Sequence, residues 1–454
     1  MITLNVETLK KIVNGRPHGI ASTSFQGIST DTRSIKEGNL FIPLKGDNFD
    51  GHDYIEEAID KGAAFALSEK EMGDLPVLLV ENSKEALFQI AAYHRNQSDA
   101  TVIAITGSNG KTTTKDLIAS ILSPSFTVQK TPENLNNEIG LSKTILDLER
   151  DTEYLVLEMG MEDFGEISLL THIAKPDIAI ITNIGDCHLK KLKTKENIAK
   201  AKLEILEGLQ DDGVFIYNHD DEVLRTAVQN RKIEKNTISF GTDENSTFQI
   251  EPVKYDETGS TFNFAGHLFT IPLLGAHQMY NGAVAILIAQ MQGMEYSDIA
   301  KGLTNIQITG MRHQLFHKKN LYILDDSYKS NPQSLISCLN TVNALKGFDR
   351  KIAVIGDMLD LGDQEVSIHE SMGRRLDPEQ LDDIVTIGQL SFHIHEQLKA
   401  NFPDERLYHF ETKEQALATI EGLIQGKTLV MVKGSRALAL DELVHQLLED
   451  WPKD

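Results

Sequence analysis

Apolar and polar positions follow two regular patterns along the chain, and these patterns alternate from about residue 100 onwards. Short runs rich in β-branched residues predict buried strands at 102–106, 154–158, 177–183 and 213–217. Between and after these runs, apolar residues recur every three or four positions and predict helices at 111–122, 196–210 and 277–291. Strands that alternate with helices in this way are typical of a mostly parallel sheet covered by helices.

Other parts of the chain show different patterns. Residues 1–97 mix short strands and helices, including a helix at 54–60 that ends at Lys61-Gly62, and the polar tract 96–100 marks a boundary. Residues 241–272 alternate more rapidly, notably at 261–264, which predicts an antiparallel hairpin insert. The strand–helix rhythm restarts with strands predicted at 321–324, 351–355, 384–387 and 428–432. We therefore predict an α/β protein of three domains, 1–97, 98–312 and 313–454, of which the last is doubly wound and Rossmann-like.

The composition of the whole chain argues against several classes of protein, namely nucleic-acid-binding, membrane-inserted and secreted proteins. The 454 residues are 41% hydrophobic and 24% charged, which is ordinary for a globular protein, and a net charge of −23 disfavours nucleic acid or an anionic membrane as a partner. No apolar run approaches the ~18 residues that span a bilayer, and the N-terminus lacks the basic and apolar regions of a signal peptide. Only two cysteines are present, Cys187 and Cys338. We expect a cytoplasmic protein without membrane insertion.

The strand at 102–106 leads into the sequence Thr-Gly-Ser-Asn-Gly-Lys-Thr-Thr at 106–113. Glycines at 107 and 110 allow backbone N–H groups to face an anion, the following helix adds its N-terminal dipole, and Lys111 adds a point charge. The hydroxyl of Thr112 follows the lysine, where a nucleotide's Mg²⁺ is held. The usual phosphate loop, G-x-x-x-x-G-K-[ST], would place its first glycine at Ile105, so this loop is a shortened form. An ordinary strand-to-helix turn is the alternative.

Three further side chains are candidates for metal binding. Glu158 ends a predicted strand, where Mg²⁺ ligation and plain solvation are the alternatives. His188 follows another predicted strand, and a solvated loop histidine is the alternative to a metal ligand. Lys202 falls within the apolar stripe of the predicted helix at 196–210, whereas Lys200 points away from it. Either the stem of Lys202 packs while its ammonium reaches water, or burial lowers its pKa and makes the neutral amine available to CO₂.

The shortened phosphate loop resembles that of the Mur ligases, the ATP-dependent amide-bond-forming enzymes of bacterial cell-wall synthesis. Other blocks similar to this family stand at 31–33, 38–41, 50–52, 134–140, 325–332, 356–362 and 432–436. The first three are similar to the uridine-nucleotide end of the family, and the last four to the branch that adds D-alanyl-D-alanine. The resemblance therefore covers nearly the whole chain. It implies an N-terminal α/β uridine-nucleotide domain, a central ATP-binding domain and a C-terminal Rossmann-like domain.

The resemblance also implies a reaction. ATP phosphorylates the terminal carboxylate of a UDP-linked muramoyl tripeptide, and the amine of D-Ala-D-Ala attacks the acyl phosphate to give UDP-MurNAc-pentapeptide, ADP and phosphate. Two Mg²⁺ ions assist, and the lysine that matches Lys202 is carbamylated in most of the family. We expect a monomer that acts on these small molecules. The alternatives are a sister ligase that adds the third residue of the peptide (L-lysine or diaminopimelate), a folylpolyglutamate-type synthetase, or a nucleotide-binding regulator that has lost catalysis.

Matching positions give the site residues implied roles. The implied catalytic residues are Lys111, Glu158, His188, Lys202 and Arg312. The implied metal ligands are Thr112, Glu158, His188 and carbamylated Lys202. ATP is bound by Gly107, Ser108, Asn109, Gly110, Lys111, Thr112, Thr113, Asn281, Arg312 and Asp326. The UDP substrate is bound by Thr32, Arg33, Lys45, Gly46, Asn134 and Asn137, and the acceptor side is formed by Tyr328, Lys329, Asn331 and Ser435.

Two positions depart from the family pattern. Gln278 replaces the first asparagine of G-x-H-N-x-x-N, whose last asparagine is Asn281. Lys329 stands where the D-alanyl-D-alanine branch commonly has asparagine in Tyr-Asn-Ala-Asn-Pro. Because that position lies near the incoming amine in the family, we expect Lys329 to influence the acceptor.

Overall fold

The structure, a computed structural model, describes residues 2–450 with gaps at Asp47, Asn305, Met311 and Arg312. The N-terminal region contains β1 (Thr3–Asn5), α1 (Val6–Val13), β2 (Arg16–His18), β3 (Ser24–Gln26), β4 (Ile28–Ser29), β5 (Leu40–Phe41), α2 (Ile55–Asp60), β6 (Phe65–Ser68), β7 (Val77–Leu79) and α3 (Ser83–Arg95). The middle region contains β8 (Thr101–Thr106), α4 (Lys111–Leu122), β9 (Val128–Lys130), α5 (Glu138–Leu146), β10 (Tyr154–Glu158), α6 (Glu166–Ala174), β11 (Ile178–Ile181), α7 (Leu189–Leu192), α8 (Lys195–Lys202), β12 (Val214–Asn218), α9 (Glu222–Asn230), β13 (Asn236–Gly241), β14 (Phe248–Asp256), β15 (Gly259–Phe264), β16 (His267–Ile271), α10 (His277–Met291) and α11 (Tyr296–Gly302). The C-terminal region contains β17 (Gln314–Lys318), β18 (Leu321–Asp326), α12 (Pro332–Ala344), β19 (Arg350–Gly356), α13 (Glu365–Gly373), β20 (Asp383–Ile387), α14 (Phe392–Leu398), β21 (Leu407–Phe410), α15 (Lys413–Leu423), β22 (Thr428–Lys433) and α16 (Leu440–Asp450).

The chain divides into two compact units that do not follow its linear order. The first unit comprises Met1–Thr106, Leu122–Ile180 and Leu203–Phe215, and the second comprises Gly107–Ile121, Ile181–Lys202 and Ile216–Asp454. The phosphate loop therefore belongs to the same unit as the C-terminal sheet. Over the part of the chain that the structure describes, no helix has both the length and the apolar character needed to cross a membrane.

The first unit contains two groups of mostly parallel strands, in which the edge strand β2 is antiparallel to β7. A five-stranded sheet has the order β2-β7-β6-β5-β4, and its core includes Phe41, Ile55 and Val77. Strand β10 lies between β8 and β9 and is parallel to both, with Glu158 opposite Ile105. This register places Glu158 at the carboxyl ends of the strands, as the sequence predicted. The predicted helix at 54–60 is also confirmed as α2.

The second unit contains the C-terminal sheet in the order β17-β18-β22-β19-β20-β21. All neighbouring strands are parallel except the edge strand β17, and the predicted strands there are confirmed. Apolar residues of these strands, including Ile323, Val354 and Val430, form the core under α15 and α16. Strands β14, β15 and β16 form the predicted antiparallel insert.

The predicted helix at 196–210 is wrong in its second half. Helix α8 ends at Lys202, and a 3-10 turn follows at Leu203–Leu206. The turn makes contacts that compete with a continuing helix: Thr171 Oγ1 donates to a carbonyl of the turn at 2.9 Å, and the Glu204 carboxylate accepts backbone N–H groups at the start of α6. Tertiary hydrogen bonds therefore override helical propensity here. Lys202 is nevertheless buried, as its apolar setting predicted.

Candidate active site

The two glycines of the phosphate loop cannot be replaced by larger residues. Gly107 has φ of 151°, and a Cβ built on it would lie 1.9 Å from Thr182 Oγ1. Gly110 has φ of 81°, and its Cβ would lie 2.6 Å from Asn281 Oδ1. These positive φ angles and close approaches suit glycine alone. The loop therefore has the tight backbone that an anion-binding turn requires.

Polar residues at the end of β11 hold the loop in shape. Ser108 N donates to Asn183 O, and Asn109 N donates to Asn183 Oδ1, both at 2.9 Å. Thr182 Oγ1 and Asn183 Nδ2 donate to Asn109 O at 2.6 and 3.1 Å. Sequence reasoning did not select Thr182 or Asn183. Their signal was available, since two polar residues directly follow a buried strand at the edge where such sheets bind ligands.

The start of α4 carries the charge and hydroxyl groups of a phosphate site. Lys111 Nζ donates to Gly107 O at 2.7 Å, which keeps the lysine folded over the loop. Thr112 and Thr113 are buried in the first turn of this twelve-residue helix. Because the N-terminus of a helix presents backbone N–H groups and a positive dipole, this turn is suited to bind phosphate.

Asn281 supports the loop from α10. Its Oδ1 accepts from Thr114 Oγ1 at 3.2 Å, and its Nδ2 donates to Gln278 Oε1 at 2.9 Å. Gln278, which replaces the first asparagine of the family pattern, therefore orients Asn281 through its side-chain carbonyl. The structure brings Asn281 to the phosphate loop, beside Gly110.

Glu158, in the first unit, is a buried carboxylate with an amide donor. Its Oε1 accepts from Asn136 Nδ2 at 2.8 Å, and its backbone N donates to Thr131 Oγ1 at 2.9 Å. Asn136 O also accepts from the N of Gly160, just after the strand. Asn136 was not selected from the sequence, although it lies in the block at 134–140. The amide helps to fix the direction of the carboxylate.

His188 directly precedes α7 as its N-cap residue and has φ of 55°, a left-handed conformation. Burial and, to a smaller extent, the ammonium groups of Lys329, Lys202 and Lys111 together lower the pKa of His188 to about 2. The ring is therefore neutral at physiological pH, which is the form that binds metals. Lys329 Nζ lies 3.3 Å from His188 Nε2.

Lys202 closes α8 with its side chain only 2% exposed. The pKa of Lys202 is lowered to about 7, mainly by burial, with smaller contributions from Lys111 and Lys329 and an opposing one from Cys187. A lysine in such surroundings has a substantial neutral fraction at pH 7, which favours the second of the two alternatives drawn from the sequence. It is therefore far more nucleophilic than a surface lysine.

The acceptor-side residues lie at the carboxyl ends of the C-terminal sheet and at the start of α12. Asn331 caps α12 by accepting from Ser334 N at 2.9 Å, and its Nδ2 donates to Asn109 Oδ1 at 2.8 Å. Ser435 Oγ accepts from Leu359 N at 3.0 Å. Tyr328 is half-buried. The structure thus joins Asn331 to the phosphate loop, whereas Ser435 is used within the C-terminal sheet.

Asp326 and Lys433 form a buried pair at the ends of β18 and β22. Lys433 Nζ donates to Asp326 Oδ2 at 2.5 Å and to Lys329 O at 3.0 Å. Burial raises the pKa of Asp326, but Lys433 and His313 outweigh it and hold that pKa well below its ordinary range. Asp326 is therefore an anion in the folded protein. The remaining predicted nucleotide ligand, Arg312, lies outside the described residues.

The predicted UDP-substrate residues all belong to the first unit. Thr32 Oγ1 donates to Glu57 Oε1 at 3.0 Å, and the exposed Arg33 pairs with Asp31 at 2.6 Å. The hydrogen bonds from Arg33 lower the pKa of Asp31 to about 2. Arg33 is thus positioned on the surface with its charge partly compensated.

The other predicted UDP-substrate residues lie in two loops. Lys45 forms an ion pair with Glu69, and a Cβ on Gly46 would collide with the exposed ring of Phe49. Asn134 is exposed, and Asn137 Oδ1 caps α5 by accepting from a backbone N at 2.9 Å. This last pair flanks Asn136, so the loop that would meet the substrate also holds Glu158.

Three family models match the chain. They are the Mur ligase middle domain over residues 105–289, the Mur ligase glutamate ligase domain over 311–436, and the Mur ligase family catalytic domain over 24–95. Together they cover the phosphate loop, the C-terminal sheet and the N-terminal sheet described above.

Similar proteins match over nearly their full length. A UDP-N-acetylmuramoyl-tripeptide--D-alanyl-D-alanine ligase of Bacillus subtilis (strain 168) is 38% identical, and the match covers 99% of each chain. The structure of a MurF from Acinetobacter baumannii is similar with a TM-score of 0.91 at 30% identity, over 99% of each chain. A MurF ligase from Thermotoga maritima in complex with ADP has a TM-score of 0.83 at 27% identity, over 94% of this chain and 97% of that one. The chain belongs to the Mur ligase family.

Proposed function

We propose that this protein is the ATP-dependent ligase that joins D-alanyl-D-alanine to a UDP-N-acetylmuramoyl-tripeptide in peptidoglycan precursor synthesis. The products are UDP-MurNAc-pentapeptide, ADP and phosphate. The observation that carries this proposal is the match, over 99% of both chains, to a relative that bears the name of this activity. The shaped phosphate loop supports it, because the reaction consumes ATP.

The nucleotide site is the phosphate loop with side chains from α10 and the C-terminal region. Its residues are Gly107, Ser108, Asn109, Gly110, Lys111, Thr112, Thr113, Asn281, Arg312 and Asp326. Backbone N–H groups and the Lys111 ammonium bind the phosphates, and the Asp326 carboxylate suits a ribose hydroxyl. The similarity to a MurF ligase in complex with ADP supports this use of the loop.

The reaction is two transfers in sequence. A carboxylate oxygen of the tripeptide forms a bond to the γ-phosphorus of ATP as the bond to the ADP oxygen breaks. The amine of D-Ala-D-Ala then attacks the acyl carbon, inorganic phosphate leaves, and the nitrogen loses a proton to the surroundings. Lys111 and Arg312 offset the charge of the transferring group, since phosphoryl transfer depends mainly on positioning and electrostatics.

The proposed metal-binding residues suit two Mg²⁺ ions on the condition that Lys202 is carbamylated. The Thr112 hydroxyl, the Glu158 carboxylate and the neutral ring of His188 are suitable donors, but an ammonium at Lys202 would repel a cation. Carbamylation of Lys202 converts that repulsion into a carboxylate ligand. When bound, the ions neutralise phosphate charge during the transfer. Glu158, His188 and carbamylated Lys202, with Thr112, are therefore the proposed ligands.

The carbamate on Lys202 is supported by its burial and its neighbours. The neutral amine adds to CO₂, forming an N–C bond and releasing one proton. The groups that act most on Lys202, apart from the Cys187 thiol, are the cations Lys111 and Lys329, which favour an anionic product. A negative carbamate is thus stabilised where a positive ammonium is not.

The UDP-linked substrate and the acceptor are assigned to different sets of residues. We assign the UDP-linked substrate to Thr32, Arg33, Lys45, Gly46, Asn134 and Asn137, and the acceptor to Tyr328, Lys329, Asn331 and Ser435. With domain limits of 1–97, 98–312 and 313–454, the first domain holds most of the substrate residues and the second most of the ATP residues together with Asn134 and Asn137. The third domain holds the acceptor residues and Asp326. We further propose that the protein is a monomer and acts in the cytoplasm, where these precursors are made.

Phosphate release measured over a matrix of substrates tests the proposal. UDP-muramoyl tripeptide with D-Ala-D-Ala should give the highest kcat/KM, and single amino acids should be far poorer acceptors. If UDP-muramoyl dipeptide with L-lysine or diaminopimelate is better, the sister-ligase alternative replaces it. ATP binding without phosphate release from any combination would favour the regulator, and activity on a folate would favour the synthetase.

A further inference from the structure

The contact between Lys329 and His188 is not used by the reaction described above. Lys329 Nζ lies 3.3 Å from His188 Nε2. An ammonium carries donors but no acceptor, so Nε2 is the acceptor and its lone pair is directed at Lys329. That lone pair is the same one through which an imidazole nitrogen binds a metal.

The backbone of Lys329 is fixed, whereas its side chain is not. The Lys329 carbonyl accepts from the buried Lys433 at 3.0 Å, and Lys433 is itself paired with Asp326. Two residues further on, Asn331 caps α12 and bonds to Asn109. The Lys329 side chain is exposed and has a flexible four-carbon stem. Its ammonium can therefore leave His188 without disturbing the loop.

With Lys202 unmodified, positive charge dominates the surroundings of His188. The charged groups that act on it most strongly are four lysines: Lys329, Lys202, Lys111 and Lys191. Lys329 is the one with a hydrogen-bond contact to the ring, and Lys191 lies one helical turn along α7. A comparison of Lys329 with Lys191 therefore distinguishes the effect of direct contact with the His188 ring from the effect of a nearby positive charge.

We propose that the Lys329 ammonium competes with a divalent cation for His188 Nε2 and thereby sets the metal affinity of this site. The inference rests on the proposed function, in which His188 is a metal ligand. One lone pair serves one partner, and a divalent cation at Nε2 would also repel an ammonium held beside it. Metal binding therefore requires the Lys329 side chain to swing away. An uncharged residue at this position removes the competitor.

Mn²⁺ binding to the full-length protein tests this directly. Unbound Mn²⁺ is measured by electron paramagnetic resonance during titrations at constant bicarbonate with a non-hydrolysable ATP analogue. Lys329→Met should bind Mn²⁺ at least about fivefold more tightly than the wild type, the lower range of a typical coupling between two ligands. Lys329→Arg, which keeps a donor cation, should stay near the wild type. Lys191→Met is the matched control and should change the affinity by less than about twofold, because it removes the same charge without touching Nε2.

His188→Ala separates failure of this inference from failure of the proposed metal site. Weaker Mn²⁺ binding by His188→Ala, with unchanged binding by Lys329→Met, would overturn the competition and leave the metal role of His188 intact. Wild-type binding by His188→Ala would remove the metal role and the competition together, whereas ligase turnover still reports on the reaction. Equal tightening by Lys329→Met and Lys191→Met would also overturn the inference, since general charge would then explain both.

Discussion

Two buried charges, Glu158 and Lys202, stand at the ends of regular elements but in opposite surroundings. Glu158 ends a strand in the first unit and accepts a hydrogen bond from the neutral amide of Asn136. Lys202 ends a helix in the second unit, where Lys111 and Lys329 oppose its charge. The proposed role of the carboxylate as an oxygen ligand requires no chemical modification. The lysine is in surroundings that favour its neutral form, so its proposed role requires a chemical modification.

The difference shows that the neighbours of a buried ionisable group indicate the role to which that group is suited. A neutral amide holds a carboxylate in one direction, as the residues behind a metal ligand do. A buried ammonium among cations is costly, and structures keep such a group only when it is paired, neutral or modified. The hydrogen bond from Asn136 therefore accounts for the orientation of Glu158. The burial of Lys202 is accounted for by loss of its positive charge, through deprotonation or modification.

The largest effect should come from Lys111, which we propose binds phosphate and which also lowers the pKa of Lys202. Lys111→Ala should lower kcat by about 10³-fold, the upper range for loss of one electrostatic contact to a transition state. Binding of the UDP-linked substrate should be nearly unchanged, because its proposed residues lie elsewhere. Steady-state kinetics and calorimetric binding check this. Equal losses of ATP and UDP-substrate affinity would contradict the division of ligands.

Lys202→Ala should come next, with kcat reduced by about 10²-fold or more because one proposed metal ligand is lost. Added short carboxylates such as acetate should restore part of the activity. Lys200→Ala is the control, since Lys200 lies on the exposed side of the same helix. A fully active Lys202→Ala enzyme with an unchanged melting temperature would exclude the proposed modification.

Asn136→Ala tests the other half of the comparison and should cost about tenfold in metal affinity, as loss of a residue behind a metal ligand does. Asn136→Asp should cost more, because it replaces a hydrogen-bond donor with a second carboxylate that repels Glu158. Titrations with Mn²⁺ and measurements of kcat distinguish the two. Identical behaviour of Asn136→Asp and the wild type would show that the amide does not position Glu158.

The smallest effect should come from Lys329→Asn. The KM for D-Ala-D-Ala should change a few-fold, whereas the KM for ATP should change by less than about twofold, within the range of an exposed charge. Lys329→Arg should behave like the wild type. Acceptor kinetics identical to the wild type would show that this departure from the family pattern has no role in acceptor binding.

Local sequence patterns predicted most of the fold. The strand at 154–158 and the helices at 111–122 and 277–291 have the predicted limits, because their apolar periodicity and their buried faces agree. The helix at 196–210 was wrong after Lys202, because the hydrogen bonds of Thr171 and Glu204 compete with helix and come from residues distant in sequence. A one-dimensional pattern does not contain such contacts.

The same limit applies to the site. The phosphate loop was predictable, since its glycines, lysine and hydroxyl groups are adjacent in sequence. The contacts that shape it were not, because Asn183 and Asn281 reach it from later elements. The burial of Lys202 was predicted from its apolar neighbours, whereas its cationic surroundings depend on Lys329, which is 127 positions away in the sequence.

The most direct test is to detect a carbamate on Lys202. Wild-type protein, Lys202→Arg and Lys200→Arg are equilibrated with ¹³C-bicarbonate and examined by ¹³C NMR. The wild type and Lys200→Arg should show a protein-bound carbamate carbon that is absent from Lys202→Arg. The signal should grow as pH rises through about 7, because the lowered pKa of Lys202 makes its neutral amine abundant there, whereas an ordinary lysine would be neutral in only roughly one molecule in three thousand. No carbamate signal in the wild type, or the same signal in Lys202→Arg, would contradict the account.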